Sequence, residues 1–152
     1  KYLNYSKEHR LLAPQAGAMG AGVPAALAAK SIYPNRQVIC FAGDGDFQMS
    51  ASELGTAMQE GLNPIILIHN NGSYGTIRMH QEMRYPKRVS GTNLKNPNFK
   101  CIAEAYNFGY SKITNLSEFK VAFEKAKTFD VGFIIEMLAD IKDISPGKII
   151  DL

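Results

Sequence analysis

The chain of 152 residues is long enough for one domain with a sizeable core, and its 45% hydrophobic and 20% charged content is typical of a soluble globular protein. Its 17 basic residues are spread along the chain (net charge +3) and no apolar run approaches the ~20 residues of a membrane span, so neither a nucleic-acid nor a membrane partner is indicated. The two cysteines, Cys40 and Cys101, form no CxxC or Cys/His cluster, so neither a disulfide framework nor zinc is indicated and a cytoplasmic location is predicted.

The first half of the chain predicts two helices and two strands in alternation. Short, continuous apolar runs rich in branched residues are typical of strands that are buried on both faces, as in a parallel sheet. The second helix opens with Ser50 and Glu53, a capping box, and stops at Gly61, because glycine commonly ends helices. In chain order the predicted elements are the helix Val23–Ile32, the strand Gln37–Ala42, the helix Ser50–Glu60 and the strand Pro64–His69.

The second half begins with an irregular stretch, Thr76–Pro97, which carries five basic residues against one acidic residue and is predicted to be a functional or mobile loop. Two more helices and two more strands follow, with Ser117 as the predicted N-cap of the last helix. They are the helix Asn98–Tyr106, the strand Tyr110–Ile113, the helix Ser117–Thr128 and the strand Phe133–Leu138. The alternation predicts an α/β fold in three layers, with an open, mostly parallel sheet and helices on both faces, as one domain over residues 1–152.

Polar sequence follows the first two predicted strands at the points where they end, as Gly43–Asp46 and Asn70–Gly75. If the two strands are neighbours in a parallel sheet, their tips lie about 5 Å apart, and Asp44 and Asn71 can hold one ion. Carboxylate, amide and carbonyl oxygens are ligands that Mg²⁺ prefers, and flanking glycines let the backbone approach a phosphate closely. His69, at the end of a predicted buried strand, is predicted to be structural.

This pattern resembles the fingerprint of thiamine-diphosphate-dependent enzymes, in which Gly-Asp-Gly and Asn-Asn are separated by a spacer like Asp46–His69, which has 24 residues here. A second block, Gln15–Ala26, reads QAGAMGAGVPAA and is similar to the segment that holds the aminopyrimidine ring in acetolactate-synthase-like and benzoylformate-decarboxylase-like enzymes. The runs Gly91–Leu94 and Asn96–Phe99 are similar to the same branch. Most of the chain therefore resembles the C-terminal thiamine-diphosphate-binding domain of that branch.

The resemblance implies a role for each matching residue. Asp44 and Asn71 match the side chains that bind Mg²⁺, and Ser73 takes the position whose main-chain carbonyl completes the protein ligands. Gly45 and Asp46 match the pair that contacts the diphosphate. Because a carboxylate beside a phosphate is unfavourable, Asp46 is expected to offer its backbone N–H while its side chain points away.

Four further residues complete the implied cofactor site. Tyr74 and Gly75 shape the turn around the diphosphate. Gly17 supplies the carbonyl that accepts a hydrogen bond from the aminopyrimidine amino group, and Met19 is the apolar wedge beneath the thiazolium ring that bends the cofactor. Because the bent cofactor can lose its C2 proton and attack a 2-oxo carbonyl, the implied activity is decarboxylation or carboligation of 2-oxo acids.

The resemblance favours an acetolactate-synthase-like carboligase over a simple decarboxylase of the benzoylformate or pyruvate type. Two other classes stay open: a non-catalytic module that binds a phosphorylated ligand, and a generic nucleotide-binding domain, although a P-loop is missing. The glutamate that activates the cofactor has no counterpart and is expected in a pyrimidine-binding domain of the same or another subunit, within a homodimer or homotetramer. The chain, which begins at Lys1 rather than Met, is therefore expected to be a fragment of a longer enzyme, inactive alone.

Overall fold

Four parallel strands form the central sheet of the computed structural model, which describes residues 6–145 and 148–149. In space the strands follow the order β1-β2-β4-β3. Their bounds are β1 (Ile39–Gly43), β2 (Ile65–Asn70), β3 (Gly109–Ile113) and β4 (Phe133–Leu138), and a short antiparallel pair follows, β5 (Asp143–Ser145) with β6 (Lys148–Ile149). The predicted strands and the parallel sheet are confirmed.

Helices connect the strands, and none in the described part of the chain is long and apolar enough to cross a membrane. The predicted helix Ser50–Glu60 is divided into a 3-10 turn and an α-helix, and it ends as predicted at Gly61, whose φ is 64°. The bounds are α1 (Gly22–Ile32), α2 (Asp44–Gln48), the 3-10 turn (Ala51–Glu53), α3 (Leu54–Glu60), α4 (Gly75–Arg84), α5 (Phe99–Ala105) and α6 (Leu116–Lys127).

The two faces of the sheet bury different side chains, because successive residues of a strand point to opposite sides. In β2, Ile66 and Ile68 pack in a cluster with residues of α1, α2, α3 and α5. Ile65 and Leu67 pack on the other face with residues of α6. Each fully buried side chain of this size contributes about 1.5–3 kcal/mol. The predicted arrangement in three layers is confirmed, and it holds the carboxyl ends of β1 and β2 in place.

β1 is an edge strand whose two faces differ. Cys40 and Ala42 are buried against α1 and its neighbours, whereas Ile39 is 38% exposed and Phe41 is 65% exposed. The prediction that this strand is buried on both faces is therefore wrong. The reason is that α6, the helix on the sheet face that carries Ile65 and Leu67, packs against β3 and β4. These strands are at the far end of the strand order from β1, so α6 leaves this face of β1 uncovered.

The predicted capping box at Ser50 does not form. Within the described residues the Ser50 hydroxyl is buried without a hydrogen-bond partner. Glu53 instead accepts a hydrogen bond from Thr56 Oγ1 at 2.9 Å. The capping box fails because a 3-10 turn precedes α3, so the backbone at this helix start has a different geometry from that of an α-helical first turn.

The last helix begins earlier than predicted. Asn115, not Ser117, is the N-cap of α6, and its Oδ1 accepts a hydrogen bond from Glu118 N at 3.0 Å. Ser117 donates its hydroxyl to the same Oδ1 at 2.6 Å. Asn and Ser are both good N-caps, so residue type alone does not favour Ser117 over Asn115.

The stretch predicted to be an irregular loop contains all but the first residue of a ten-residue helix, α4 (Gly75–Arg84). No residue of this helix is buried, and its N-cap, Tyr74, makes no side-chain capping hydrogen bond. The helix therefore has neither a buried apolar stripe nor a capping residue, the two signals that predict a helix from sequence. It begins directly after the turn that follows β2, which brings its first residues to the carboxyl edge of the sheet.

Cys40 is expected to resist alkylation in the folded protein. Burial, with Asp46 nearby, raises the pKa of the Cys40 thiol to about 11, so the reactive thiolate is scarce at pH 8. Peptide mapping by mass spectrometry after treatment with iodoacetamide at pH 8 should find Cys40 unmodified in native protein and modified in urea. Equal labelling rates in the two conditions would contradict the buried position.

Candidate functional site

The carboxyl ends of β1 and β2 lie side by side at one edge of the sheet, as predicted. The parallel register places Gly43 opposite His69, so the segments that follow the two strands emerge together. Helix α2 begins at Asp44, directly after β1, and the chain after β2 turns within a few residues into α4. In open parallel sheets this edge is where ligands bind.

Asp44 is a buried carboxylate, 1% exposed, that is held by three N–H groups. Its Oδ2 accepts from the backbone N–H of Gly72 at 2.9 Å and from Asn96 Nδ2 at 2.6 Å. Its Oδ1 accepts from the backbone N–H of Gly45 at 3.0 Å. Hydrogen bonds of this kind stabilise a carboxylate and fix its orientation.

The turn after β2 is held by hydrogen bonds within the turn and to the run Gly91–Leu94. Asn71 Oδ1 accepts a hydrogen bond from Ser73 N at 3.0 Å, which closes an Asx turn. Ser73 Oγ and Tyr74 N both donate to the carbonyl of Thr92, each at 2.9 Å, and Leu94 N donates to the carbonyl of Gly72 at 2.8 Å. The run Gly91–Leu94, which carried part of the family resemblance, therefore holds the turn that presents Asn71.

A cavity of about 200 Å³ opens at this edge of the sheet. Three of its lining residues were not selected from the sequence: His69, Thr76 and Asp143. His69 and Thr76 flank the Asn-Asn turn, so their position next to it could have predicted that they line the site. Asp143 comes from a distant part of the chain, and no local pattern predicts its position. His69, for which a structural role was predicted, is exposed and lines the cavity. The lining residues are Gly43, Asp44, His69, Asn71, Ser73, Gly75, Thr76 and Asp143.

The N-terminus of α4 meets the cavity through Gly75 and Thr76. The first backbone N–H groups of a helix have no partner within the helix and carry a partial positive charge. Among the described residues no side chain caps them in α4, and no acidic residue lies in the first turn of this helix. The cavity therefore combines oxygen ligands for a cation, from Asp44 and Asn71, with donors for an anion, an arrangement that suits a cation bound together with a phosphate group.

Gly45 and Tyr74 pack against each other beside the cavity and do not line it. A Cβ atom on Gly45 would lie 2.4 Å from Cε1 of the Tyr74 ring and 3.0 Å from Leu94 Cδ1. The glycine is therefore required by the close approach of this ring, whether or not its backbone also contacts a ligand.

The glycine-rich segment before α1 is tied to α2 rather than to the cavity. Gly20 N donates to Asp46 Oδ1 at 2.6 Å, so the Asp46 side chain is directed to this segment. Gly17, with φ of 64°, is exposed, and Met19 is 41% exposed. Neither residue lines the cavity. The structure thus gathers Asp44, Asn71, Ser73 and Gly75 at the cavity, and Gly17 and Met19 are outside its lining.

The fold and the site define a class: a parallel α/β domain that presents a buried carboxylate, an amide and a free helix N-terminus at one sheet edge. Residues 1–137 match the family described as thiamine pyrophosphate enzyme, C-terminal TPP binding domain. The chain belongs to this family, whose cofactor is thiamine pyrophosphate, also called thiamine diphosphate. The family resemblance predicted from the sequence is confirmed.

Similar proteins include acetolactate synthase large subunits. The one from Buchnera aphidicola subsp. Schlechtendalia chinensis is 35% identical over 156 residues, covering 99% of this chain and 27% of the relative. The one from Lactococcus lactis subsp. lactis is 38% identical over 117 residues, covering 76% of this chain and 20% of the relative. The thiamine diphosphate-dependent 4-hydroxybenzoylformate decarboxylase of Rhodococcus jostii, a solved structure, has a TM-score of 0.77 and 30% identity, covering 82% of this chain and 24% of that chain. The chain thus spans about a quarter of the length of these relatives.

Proposed function

We propose that the chain is the thiamine-diphosphate and Mg²⁺ binding domain of an acetolactate-synthase-like enzyme that acts on 2-oxo acids. The observation that carries the proposal is the meeting of Asp44, Asn71 and the free N-terminus of α4 at one cavity. The similarity to acetolactate synthase large subunits supports this choice of reaction.

The donor set fits Mg²⁺. A carboxylate or amide oxygen offers two lone pairs. Within the described residues Asp44 Oδ2 accepts two hydrogen bonds and Oδ1 accepts one, so Oδ1 keeps a lone pair for the cation. Asn71 Oδ1 accepts one hydrogen bond, from Ser73 N, and likewise keeps one. With the Ser73 carbonyl these atoms supply half of an octahedral shell, and diphosphate oxygens and water supply the rest.

The diphosphate would lie against the N-terminus of α4, where the backbone of Gly75 and Thr76 is free to donate. Gly45 and Asp46 would contact it, Asp46 through its backbone N–H, while the hydrogen bond from Gly20 keeps the Asp46 carboxylate on another side. Tyr74, packed on Gly45, holds the turn in shape.

The remainder of the cofactor would lie toward the glycine-rich segment. When bound, thiamine diphosphate supplies the electron sink that 2-oxo acid decarboxylation needs. Gly17 offers its carbonyl to the aminopyrimidine amino group, and Met19, half exposed, supports the thiazolium ring from below. No catalytic acid is assigned in this chain. The activating glutamate belongs to a pyrimidine-binding domain of the same or another subunit in a cytoplasmic homodimer or homotetramer.

A simple 2-oxo acid decarboxylase is the second candidate, favoured by the similarity to 4-hydroxybenzoylformate decarboxylase. A non-catalytic module that binds a phosphorylated ligand is a third, from another class. It would have no use for the exposed Met19 wedge beside the site. The two enzyme candidates differ in their products, and the third candidate forms none, so an assay can separate the three.

The complete protein is expected to convert pyruvate to CO₂ and acetolactate when Mg²⁺ and thiamine diphosphate are supplied. The products are measured by CO₂ release together with chromatography of the carbon products. Release of free acetaldehyde, or turnover of benzoylformate without carboligation, would favour the simple decarboxylase. Tight cofactor binding without turnover of any 2-oxo acid would leave the non-catalytic module.

A further inference from the structure

Glu136 is a buried carboxylate in a strand that is otherwise apolar. It lies within β4, whose sequence is FIIEML, and it is only 4% exposed. Removing a charged group from water costs several kcal/mol unless partners compensate. An acidic residue at this position therefore has to be explained by what it contacts.

Three side chains compensate Glu136. Tyr110 donates its hydroxyl to Oε2, and Asn70 Nδ2 donates to Oε1 at 2.7 Å. The ammonium of Lys112, the residue opposite on β3, lies 3.6 Å from Oε1. Burial, together with the hydrogen bond to Glu136, raises the pKa of Tyr110, so this residue remains a donor at physiological pH. Both oxygens of the Glu136 carboxylate thus have a partner.

The contact with Asn70 is one end of a longer chain of hydrogen bonds. Because a carboxylate only accepts, the Asn70 atom that faces Glu136 is the amide nitrogen, and Oδ1 points the other way. That Oδ1 accepts from Asn96 Nδ2 at 2.8 Å and from the backbone N–H of Gly72 at 3.2 Å. The same Asn96 nitrogen donates to Asp44 Oδ2 at 2.6 Å, and Gln48 Nε2 donates to Asn96 Oδ1 at 2.8 Å. Each side-chain amide in this series of hydrogen bonds therefore has one orientation that satisfies its neighbours.

We propose that Glu136 is a positioning residue for the cation site: by accepting from Asn70, it anchors the Asn70–Asn96 hydrogen-bond chain that ends on Asp44. The inference rests on the proposed function, since it takes Asp44 as the metal ligand. Without an acceptor at position 136, the Asn70 side chain is held only through Oδ1, by Asn96 and the Gly72 N–H, and its contact with Asn96 loosens. The donor that Asn96 presents to the Asp44 carboxylate is then less firmly held.

A purely structural role for Glu136 predicts that its replacement changes stability but leaves the Mn²⁺ affinity of the folded protein unchanged. Replacing a buried ionic group by an apolar side chain of similar size is often neutral or stabilising. Glu136→Met can therefore leave the fold intact while it removes the acceptor for Asn70. The conservative change Glu136→Gln keeps an oxygen where Asn70 and Lys112 both favour one, so it should preserve the anchoring of the chain.

The test measures the dissociation constant of Mn²⁺ by electron paramagnetic resonance, in the complete protein with saturating thiamine diphosphate. Glu136→Met is expected to weaken Mn²⁺ binding roughly 10-fold, the lower end of the range for losing the support of a metal ligand, because Glu136 acts through Asn70 and Asn96. Glu136→Gln should bind as the wild type does, and so should Tyr110→Phe, which removes a partner of Glu136 on the side away from Asn70. Thermal melting of the cofactor-free proteins reports stability separately from Mn²⁺ affinity.

A second variant, Asn96→Ala, keeps the mechanism testable even if Glu136→Met does not fold. Asn96→Ala, in a partly buried loop position, should weaken Mn²⁺ binding by itself. Where both variants fold, the double mutant should lose no more than the worse single mutant, because both act through one chain. Wild-type affinity in Glu136→Met or Asn96→Ala, an equal loss in Glu136→Gln, or losses that multiply would each overturn the inference. Unchanged affinity in Asp44→Ala would instead overturn the proposed function.

Discussion

Asp44→Ala is expected to abolish the Mg²⁺-dependent binding of thiamine diphosphate to the complete protein. The carboxylate is the one charged protein ligand in the proposed donor set, and it is buried with three N–H groups directed at it. Its loss leaves these donors unpaired and removes the attraction for the cation. A loss of affinity of roughly 100-fold or more is expected, as for other buried charges that lose a partner.

Isothermal titration calorimetry with thiamine diphosphate, with and without Mg²⁺, measures this effect. Asp130→Ala is the matched control, because Asp130 is an exposed aspartate between α6 and β4, at the opposite edge of the sheet. This control should bind the cofactor as the wild type does. Unchanged affinity in Asp44→Ala would remove the central assignment of the site.

Gly45→Ala is expected to lower both the stability of the domain and its affinity for the cofactor. The new Cβ would lie 2.4 Å from Tyr74 Cε1 and 3.0 Å from Leu94 Cδ1, so the ring has to move. Such overpacking costs about 1–3 kcal/mol of the free energy of unfolding. Because Tyr74 directly precedes α4, its displacement also moves the helix N-terminus that faces the cavity.

Denaturant unfolding and calorimetry on the complete protein measure the two effects of this substitution. The double mutant Gly45→Ala/Tyr74→Ala should recover part of the stability, because it removes the clashing ring. Gly55→Ala is the control: in α3 the added Cβ meets only Tyr106 Cε1 at 3.4 Å, and alanine is the better helix former. A Gly45→Ala protein as stable as Gly55→Ala would show that the ring yields without cost.

The strands and the central ligand residues follow from local sequence. The apolar runs of β2 and β4 lie between helices, and a buried parallel strand needs only that local pattern. Asp44 and Asn71 come directly after neighbouring strands, so the chain path alone brings them to one edge. Helix starts were less predictable, since Asn115 and Ser117 are equally suitable caps and the final backbone geometry chooses between them.

The sequence by itself determined the family, the parallel sheet and the pair of loops at the site, because these depend on residues close together in the chain. The tertiary structure alone decided contacts between distant segments. It brought Asp143 to the cavity, linked Asn96 to Asp44, and directed Glu136 toward Asn70. It also left one face of β1 exposed, since a strand's own residues do not reveal which helix covers it. Such contacts depend on how complete layers pack, and no local pattern encodes that.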